Sequence, residues 1–417
     1  MRTQSNRSKN IHGGSEPVRV LYSFAPKIDG KRIGYTSWQQ INGLAAAGAD
    51  ILVYPGVLQV PVPQNVTVMP TLSRGKLRIS YKLVGRMNSY VMHDWIVARR
   101  LEKLADQIDI VHTWPLGSLE TLRTAQRMGI PTVLERPNAH TRFALEIVKK
   151  ESDRIGVPIP SGHEHAYDTA VLEREELEYT LADQLLCPSD FVMKTFLDRG
   201  FSRDQLARHC YGYDEKRFYP AGSRDLRRGV TVLFAGECGP RKGLHFALEA
   251  WLKSPMHQDG VFLVAGRFLP GYAEKLALLI SHPSVRVLGH RKDIPELMRQ
   301  SDILVLPTIE EGSALVTSEA RGSGCVLVVS DASGAICKHL ENALVHRAGD
   351  VETLTTHLSM LHEDRALLER LRNASLGSVH EITWAAAGVR LLNVYKDVIA
   401  SRRRNVKFDR ELHEALR

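Results

Sequence analysis

Leu304–Asp331 reads LVLPTIEEGSALVTSEARGSGCVLVVSD. An apolar, β-branched run stops at Pro307, an acidic loop leads to Gly312, a helical pattern opens near Ala314, and a valine-rich run closes the stretch. Short continuous apolar runs bounded by Pro and Gly are the pattern of strands buried on both faces, and strand–loop–helix–strand is the repeating unit of a parallel sheet. Ser313 falls where the free N–H groups of a helix start receive a phosphate or sugar oxygen. Glu311 and Glu319 lie about two helical turns apart, so both carboxylates can face one side and hold hydroxyls at opposite ends of one ligand.

The same rhythm extends in both directions. Strands are expected at Val18–Ser23, Asp50–Tyr54, Asp109–His112, Thr132–Glu135 and Gln184–Cys187 in the first half, with helical segments at Ser37–Ala47, Asn88–Ala105 and Leu116–Arg127. In the second half they are expected at Thr231–Ala235, Val261–Ala265, Val285–Leu288, Ile303–Pro307 and Val326–Ser330. This alternation predicts an α/β protein of two Rossmann-like, doubly wound domains facing a cleft, with ligands at the carboxyl ends of the strands. The Pro-, Gly- and charge-rich stretch FYPAGSRDLRRG, Phe218–Gly229, marks the boundary. The expected division is a disordered tail at 1–17, an N-terminal domain at 18–218, a C-terminal domain at 219–386, and a last helix, roughly Ala387–Ile399, within 387–417 that ends in a basic tail.

The bulk numbers fit that division. A chain of 417 residues exceeds what one core usually supports, and 43% apolar with 24% charged residues is an ordinary globular balance. No apolar run is long enough to span a bilayer, and the polar, basic N-terminus lacks the apolar segment of a secretory signal. Cys187, Cys210, Cys238, Cys325 and Cys337 are scattered, without C-x-x-C or metal-ligand spacing, so reduced thiols in a cytoplasmic protein are expected. A net charge of +8 points to anionic partners, but no basic-aromatic module accompanies it, which argues against nucleic acid.

A second element, Val232–Trp251, reads VLFAGECGPRKGLHFALEAW. A strand ends in Gly236, a Gly-Pro loop follows, and Arg241-Lys242-Gly243 opens a helix. Cations beside free N–H groups form a cradle for a pyrophosphate, although this is not a P-loop, since G-x-x-x-x-G-K-[ST] is absent.

Together these stretches resemble glycosyltransferase family 4, whose members carry E-G-F-G-x-x-x-x-E-A before G-x-P-V-V-x-S-D. Here the counterparts are Glu311-Gly312-Ser313-Ala314, Glu319-Ala320 and Gly324–Asp331, with Ser313-Ala314 in place of Phe-Gly. The resemblance implies that Glu311 contacts the donor sugar, that Glu319 binds the nucleotide ribose, and that Lys242 neutralises the donor diphosphate in a segment similar to F-x-G-R-x-x-x-x-K-G. The family's arginine falls at Glu237, where a carboxylate would repel a diphosphate, so either Arg241 takes over or Glu237 turns away. Val285–Ser301 is similar to the segment whose loop receives the nucleobase, which places His290, Arg291 and Lys292 at the base. Tyr213-Asp214 and Phe218-Tyr219-Pro220 look like the crossing between domains, and Thr383-Trp384 like the mark before a helix that returns to the N-terminal domain.

The resemblance covers about Val18 to Ile399 and is weaker in the first half, where Lys31-Arg32-Ile33-Gly34-Tyr35 stands for the usual Gly-Gly loop and Gly34 allows close backbone approach to the diphosphate. His140 is expected at the donor sugar and acceptor, with Arg136 or Asn138 as alternatives at that place and His112 as a further strand-end candidate. The implied fold is GT-B, and the implied reaction is retaining transfer from a UDP-, GDP- or ADP-sugar to an acceptor hydroxyl on a glycan, a lipid-linked molecule or a small molecule. No D-x-D pair stands at a strand end, so neither metal nor other cofactor is expected. The amphipathic, basic stretch Lys76–Lys103 (Tyr81, Met87, Tyr90, Trp95 and Ile96 among Arg86, Arg99 and Arg100) reads first as a helix packed on its sheet. Its second reading is peripheral contact with an anionic membrane, at the inner face of the plasma membrane. The alternative to an enzyme is a catalytically degenerate glycosyltransferase-like partner subunit, suggested by Glu237, Ser313 and Ala314.

Overall fold

The computed structural model describes residues 16–75, 77–79, 81–222 and 229–415. The N-terminal tail call therefore falls almost entirely outside the described residues, as do Lys76 and the centre of the Phe218–Gly229 boundary.

The first sheet is built from β1 (Arg19–Ile28), β2 (Asp50–Leu58) and β3 (Val66–Val68) and, after a small hairpin β4–β5 (Ser73–Arg74, Leu77–Arg78), from β6 (Ile110–Thr113), β7 (Thr132–Glu135), β8 (Gln184–Cys187) and β9 (Leu206–Arg208). Its order is β3-β2-β1-β6-β7-β8-β9. The second sheet takes β10 (Thr231–Ala235), β11 (Val261–Ala265), β12 (Val285–Gly289), β13 (Ile303–Leu306), β14 (Val326–Ser330) and β15 (Ala343–His346) in the order β12-β11-β10-β13-β14-β15. Every pairing within these two sheets is parallel. Strand order reverses at β1/β6 and at β10/β13, so each sheet opens a crevice beyond its strand ends there.

The helices α1 (Arg32–Ala46), α2 (Tyr81–Val84), α3 (Arg86–Leu104), α4 (Leu119–Met128), α5 (Thr141–Ile155), α6 (Thr169–Leu181) and α7 (Asp190–Leu197) accompany the first sheet. With the second come α8 (Leu244–Lys253), α9 (Tyr272–Lys275), α10 (Ala277–Ile280), α11 (Ile294–Gln300), α12 (Leu315–Gly322), α13 (Val351–Glu363) and α14 (Arg365–Ser378). Coverage on both faces explains why β10, β13 and β14 are almost wholly apolar and inaccessible.

The last helix, α15 (Trp384–Ala415), is much longer than the Ala387–Ile399 read from sequence, and the expected basic tail is helical through Ala415. It lies on α1 and supplies Leu391, Leu392, Tyr395 and Val398 to the core of the N-terminal domain. The crossing needs glycines: a Cβ on Gly388 would lie 2.3 Å from the Gly43 carbonyl carbon, and one on Gly43 2.7 Å from the Trp384 oxygen. The chain crosses between domains at Tyr213, whose N–H donates to Ile382 O at 3.1 Å, beside the start of α15. Both crossings thus run side by side at one edge of the cleft.

Candidate functional site

The loops after β10 and β13 are locked together by backbone contacts. After Gly236 the chain makes a tight 3-10 turn, Pro240–Lys242, and leaves it at Gly243 with φ 70°. A Cβ at Gly243 would stand 2.1 Å from Pro307 O, so glycine is required both by the left-handed backbone and by the contact with the end of β13. Ile309 N–H donates to Arg241 O at 3.0 Å, and the Thr308 hydroxyl bonds to the same oxygen at 2.8 Å. These bonds bring Arg241, Lys242, Glu310 and Glu311 into one cluster.

Within it, the Lys242 ammonium pairs with Glu311 Oε2, and Arg241 Nη1 lies 3.3 Å from the same oxygen. Arg241 Nη1 also donates to Glu310 O at 3.0 Å and to Glu310 Oε2 at 3.2 Å. Burial, with the Arg241 charge beside it, pulls Lys242 down to about 7. Glu310 is fully buried; burial alone would raise its carboxyl, but His165 and Arg241 hold it down to about 2. It further accepts from Ala139 N–H at 3.2 Å, a bond that crosses the cleft. Glu319, on α12, is pushed by burial up to about 7, with Arg217 acting downward and Asp214 upward.

Sequence reasoning passed over Glu310. The E-x7-E spacing singles out its neighbour, and the partners that define Glu310 are 171 and 145 residues away in the chain. It also missed the strap between α5 and α6. There His163 Nε2 lies 3.3 Å from Glu237 Oε1, Glu164 Oε1 lies 3.5 Å from Arg241 Nη2, and His165 Nε2 lies 3.3 Å from Glu310 Oε2. Glu237 therefore faces the strap, while Arg241 and Lys242 hold the centre of the cluster.

Other expected site residues are placed differently. Gly312 makes a domain contact: a Cβ there would be 1.6 Å from Pro137 O, and its own carbonyl accepts from Ser189 Oγ at 2.6 Å. Ala314 is buried at the start of α12, its N–H on Ser333 O at 3.2 Å, and half-buried Ser313 lies between it and Gly312. Gly34 sits in the first turn of α1, where a Cβ would meet Lys27 O at 2.5 Å, so it packs α1 on the end of β1. His290 and Arg291 are exposed at the end of β12, Arg291 paired with Asp293 at 2.5 Å.

The histidines named from the sequence are buried. His140 turns into an aromatic box of Tyr179, Phe196 and Phe201, with ring centroids 5.0–6.0 Å away, and burial lowers it to about 3. Arg136, its alternative, is buried against Glu175 at 2.5 Å and stacks over Tyr179. His112 lies inside the N-terminal core, bonded through Nδ1 to Tyr395 OH at 2.5 Å and 3.6 Å from Glu135. His140 is thus held among aromatic rings and His112 by polar partners within the N-terminal core.

The fold and this constellation define the class. The structure has the GT-B fold: it superposes on the sucrose-phosphate synthase of Thermosynechococcus elongatus with a TM-score of 0.65 at 16% identity, covering 92% of this chain and 100% of that one. The Anabaena Alr3699/HepE structure in complex with UDP gives 0.61 at 16% identity, with 91% and 100% covered. Residues 229–364 match the family model described as Glycosyl transferases group 1. Among curated proteins, an Escherichia coli UDP-Gal:alpha-D-GlcNAc-diphosphoundecaprenol alpha-1,3-galactosyltransferase is 24% identical over 211 residues, which are 46% of this chain and 54% of that enzyme. The match thus spans about half the length of that relative.

Proposed function

We propose that the protein is a retaining, metal-independent glycosyltransferase of the family 4 type, moving a sugar from a nucleoside diphosphate sugar to an acceptor hydroxyl. The observation that carries this reading is the cluster of Lys242, Arg241 and Glu311 beside α12 with Glu319, at the point where strand order reverses in the second sheet. Lys242 and Arg241 supply positive charge where a leaving diphosphate gains negative charge, and a buried setting strengthens that stabilisation. In this reading Glu311 orients donor sugar hydroxyls and Glu319 holds the ribose. In the transfer, the bond from the anomeric carbon to the phosphate oxygen breaks and the bond to the acceptor oxygen forms on the same face. The acceptor proton passes to the departing phosphate, so no protein base is assigned.

The acceptor and its location belong to the same reading. The E. coli relative's name gives UDP-galactose as donor and a diphosphoundecaprenol-linked acceptor. On this chain, α2 and α3 expose Leu83, Val84, Val91 and Trp95 beside Arg86, Arg99 and Arg100, while Val97, Ala98 and Leu101 pack inward. That outer face suits an anionic, cytoplasmic membrane surface carrying a lipid-linked acceptor. No described helix is long and apolar enough to cross a membrane.

The deciding experiment is turnover of a panel of UDP-, GDP- and ADP-sugars by the purified protein, with the anomeric configuration of the product followed by NMR. One donor is expected to be consumed, with retention. Inversion would refute the stereochemical assignment, and inactivity on every donor together with no nucleotide binding would refute the reading as a whole.

A further inference from the structure

The strap from Gly156 to Asp168 belongs to the N-terminal domain, yet three successive side chains on it, His163, Glu164 and His165, meet Glu237, Arg241 and Glu310 of the phosphate-side cluster. His163 Nδ1 accepts the His165 backbone N–H at 3.2 Å, which leaves the ring hydrogen on Nε2, facing the Glu237 carboxylate. Around Arg241 and Lys242 stand the carboxylates of Glu164, Glu237, Glu310 and Glu311, so negative charge exceeds positive before any phosphate arrives. A diphosphate cannot join this set favourably unless one carboxylate gives way.

The geometry shows which one can. Glu310 is buried and bonded to both domains, and Glu311 is wedged between Lys242 and Arg241. Glu237 is bonded to His163. Glu164 is 59% exposed and touches Arg241 at 3.5 Å, the loosest of the Arg241 contacts. The strap that carries it begins at Gly156 with φ 71° and turns at Gly162 with φ 79°. A cavity of about 570 Å³ lies between it and α5, walled by Leu145, Pro158, Ile159 and Tyr167, so the middle of the strap has room to shift while Val157 stays packed in the C-terminal core.

We propose that Glu164 is a built-in competitor for the donor's phosphate: the nucleotide takes Arg241 from Glu164, and the middle of the strap lets go of the cluster as it does so. This rests on the reading of the cleft as a nucleoside diphosphate site. Donor affinity is then set partly by the strap, and the strap reports on occupancy.

Calorimetric titration of the full chain with UDP, GDP and ADP, using wild type, Glu164→Gln and Lys242→Met, tests this. Glu164→Gln is expected to bind the preferred nucleotide about 1.5-fold to fivefold more tightly, the effect of removing one exposed competing charge. Hydrogen exchange at residues 157–167 is expected to speed up when that nucleotide is added. Unchanged or weaker affinity in Glu164→Gln, with Lys242→Met losing binding, overturns the competition and leaves the cleft reading intact. Slower exchange in the strap on nucleotide addition also overturns it. If neither wild type nor Glu164→Gln binds any of the three, the cleft reading itself falls and the competition falls with it.

Discussion

Glu319 and Lys242 are both held away from their ordinary protonation behaviour, in opposite directions, and each makes a pH-dependent expectation. Burial takes Glu319 from 4.5 to about 7, so between those values the folded protein keeps a proton that the unfolded chain has released. Stability is therefore lost as pH rises through that window. Glu319→Gln is expected to melt roughly 2 °C higher than wild type at pH 8, with the gain vanishing by about pH 4, while binding nucleoside diphosphates at least about tenfold more weakly. Thermal melts across pH, paired with titrations, check both halves; unchanged nucleotide affinity would refute the ribose assignment. Lys242 is drawn from 10.5 to about 7, and a bound diphosphate favours its charged form. Nucleotide affinity should then fall by up to about tenfold per pH unit above 7, with proton uptake on binding, and Lys242→Arg should flatten the dependence. A wild-type affinity that is level from pH 7 to 9 would contradict this.

At the scale of elements, the two domains meet where the loop after β13 presses Gly312 against Pro137. A methyl group at Gly312 must push the domains apart or distort that loop, at about 1–3 kcal/mol. Gly312→Ala is expected to lower the melting temperature by roughly 3–6 °C, readable by calorimetry. Elements with a continuous apolar centre were the legible ones: β7, β8, β10, β11 and β14 have the bounds that their runs of Val, Leu and Phe indicate. The short edge strands β9 and β15 were not read, because a few residues at a sheet edge carry little pattern. α6 was missed for another reason. It buries Glu175 and Glu178 beside Leu172 and Tyr179, with Glu175 matched by Arg136 and Glu178 bonded to the N–H groups of Leu116 and Ser118, so its inward face carries charge. For the site, Arg241-Lys242 and Glu311 could be located from the glycine-bounded loops after expected strands and from the E-x7-E spacing, whereas Glu310 could not. Nor could side-chain direction: His112 within β6 is buried against Tyr395, and His140 at the start of α5 is buried among Tyr179, Phe196 and Phe201. The strap contacts join positions 163–165 to 237–310, a pairing with no local signature.

For the whole molecule, the outer face of α2 and α3 is the place to test membrane contact. Full-length protein is expected to float with vesicles rich in anionic lipid at low salt. Trp95→Asp should reduce that flotation several-fold, while neutral vesicles capture little protein. Absence from anionic vesicles would remove the membrane part of the reading and leave the transfer chemistry untouched. The return of α15 binds the domains into one folding problem. Leu391→Ala removes a fully buried side chain that comes from the far end of the chain, and should cost about 2–5 kcal/mol in chemical denaturation, expressed in the first domain.

That return has a consequence during synthesis. A ribosome delivers the first sheet long before Leu391, Tyr395 and Val398 exist, so the nascent N-terminal half waits with an open apolar face along α1 and with His112 lacking its Tyr395 partner. The C-terminal half has its core once Ile382, just after α14, is made, and can fold as soon as it emerges. The order of maturation is thus the reverse of the order of translation, and the early half depends on protection from aggregation until the last helix is made.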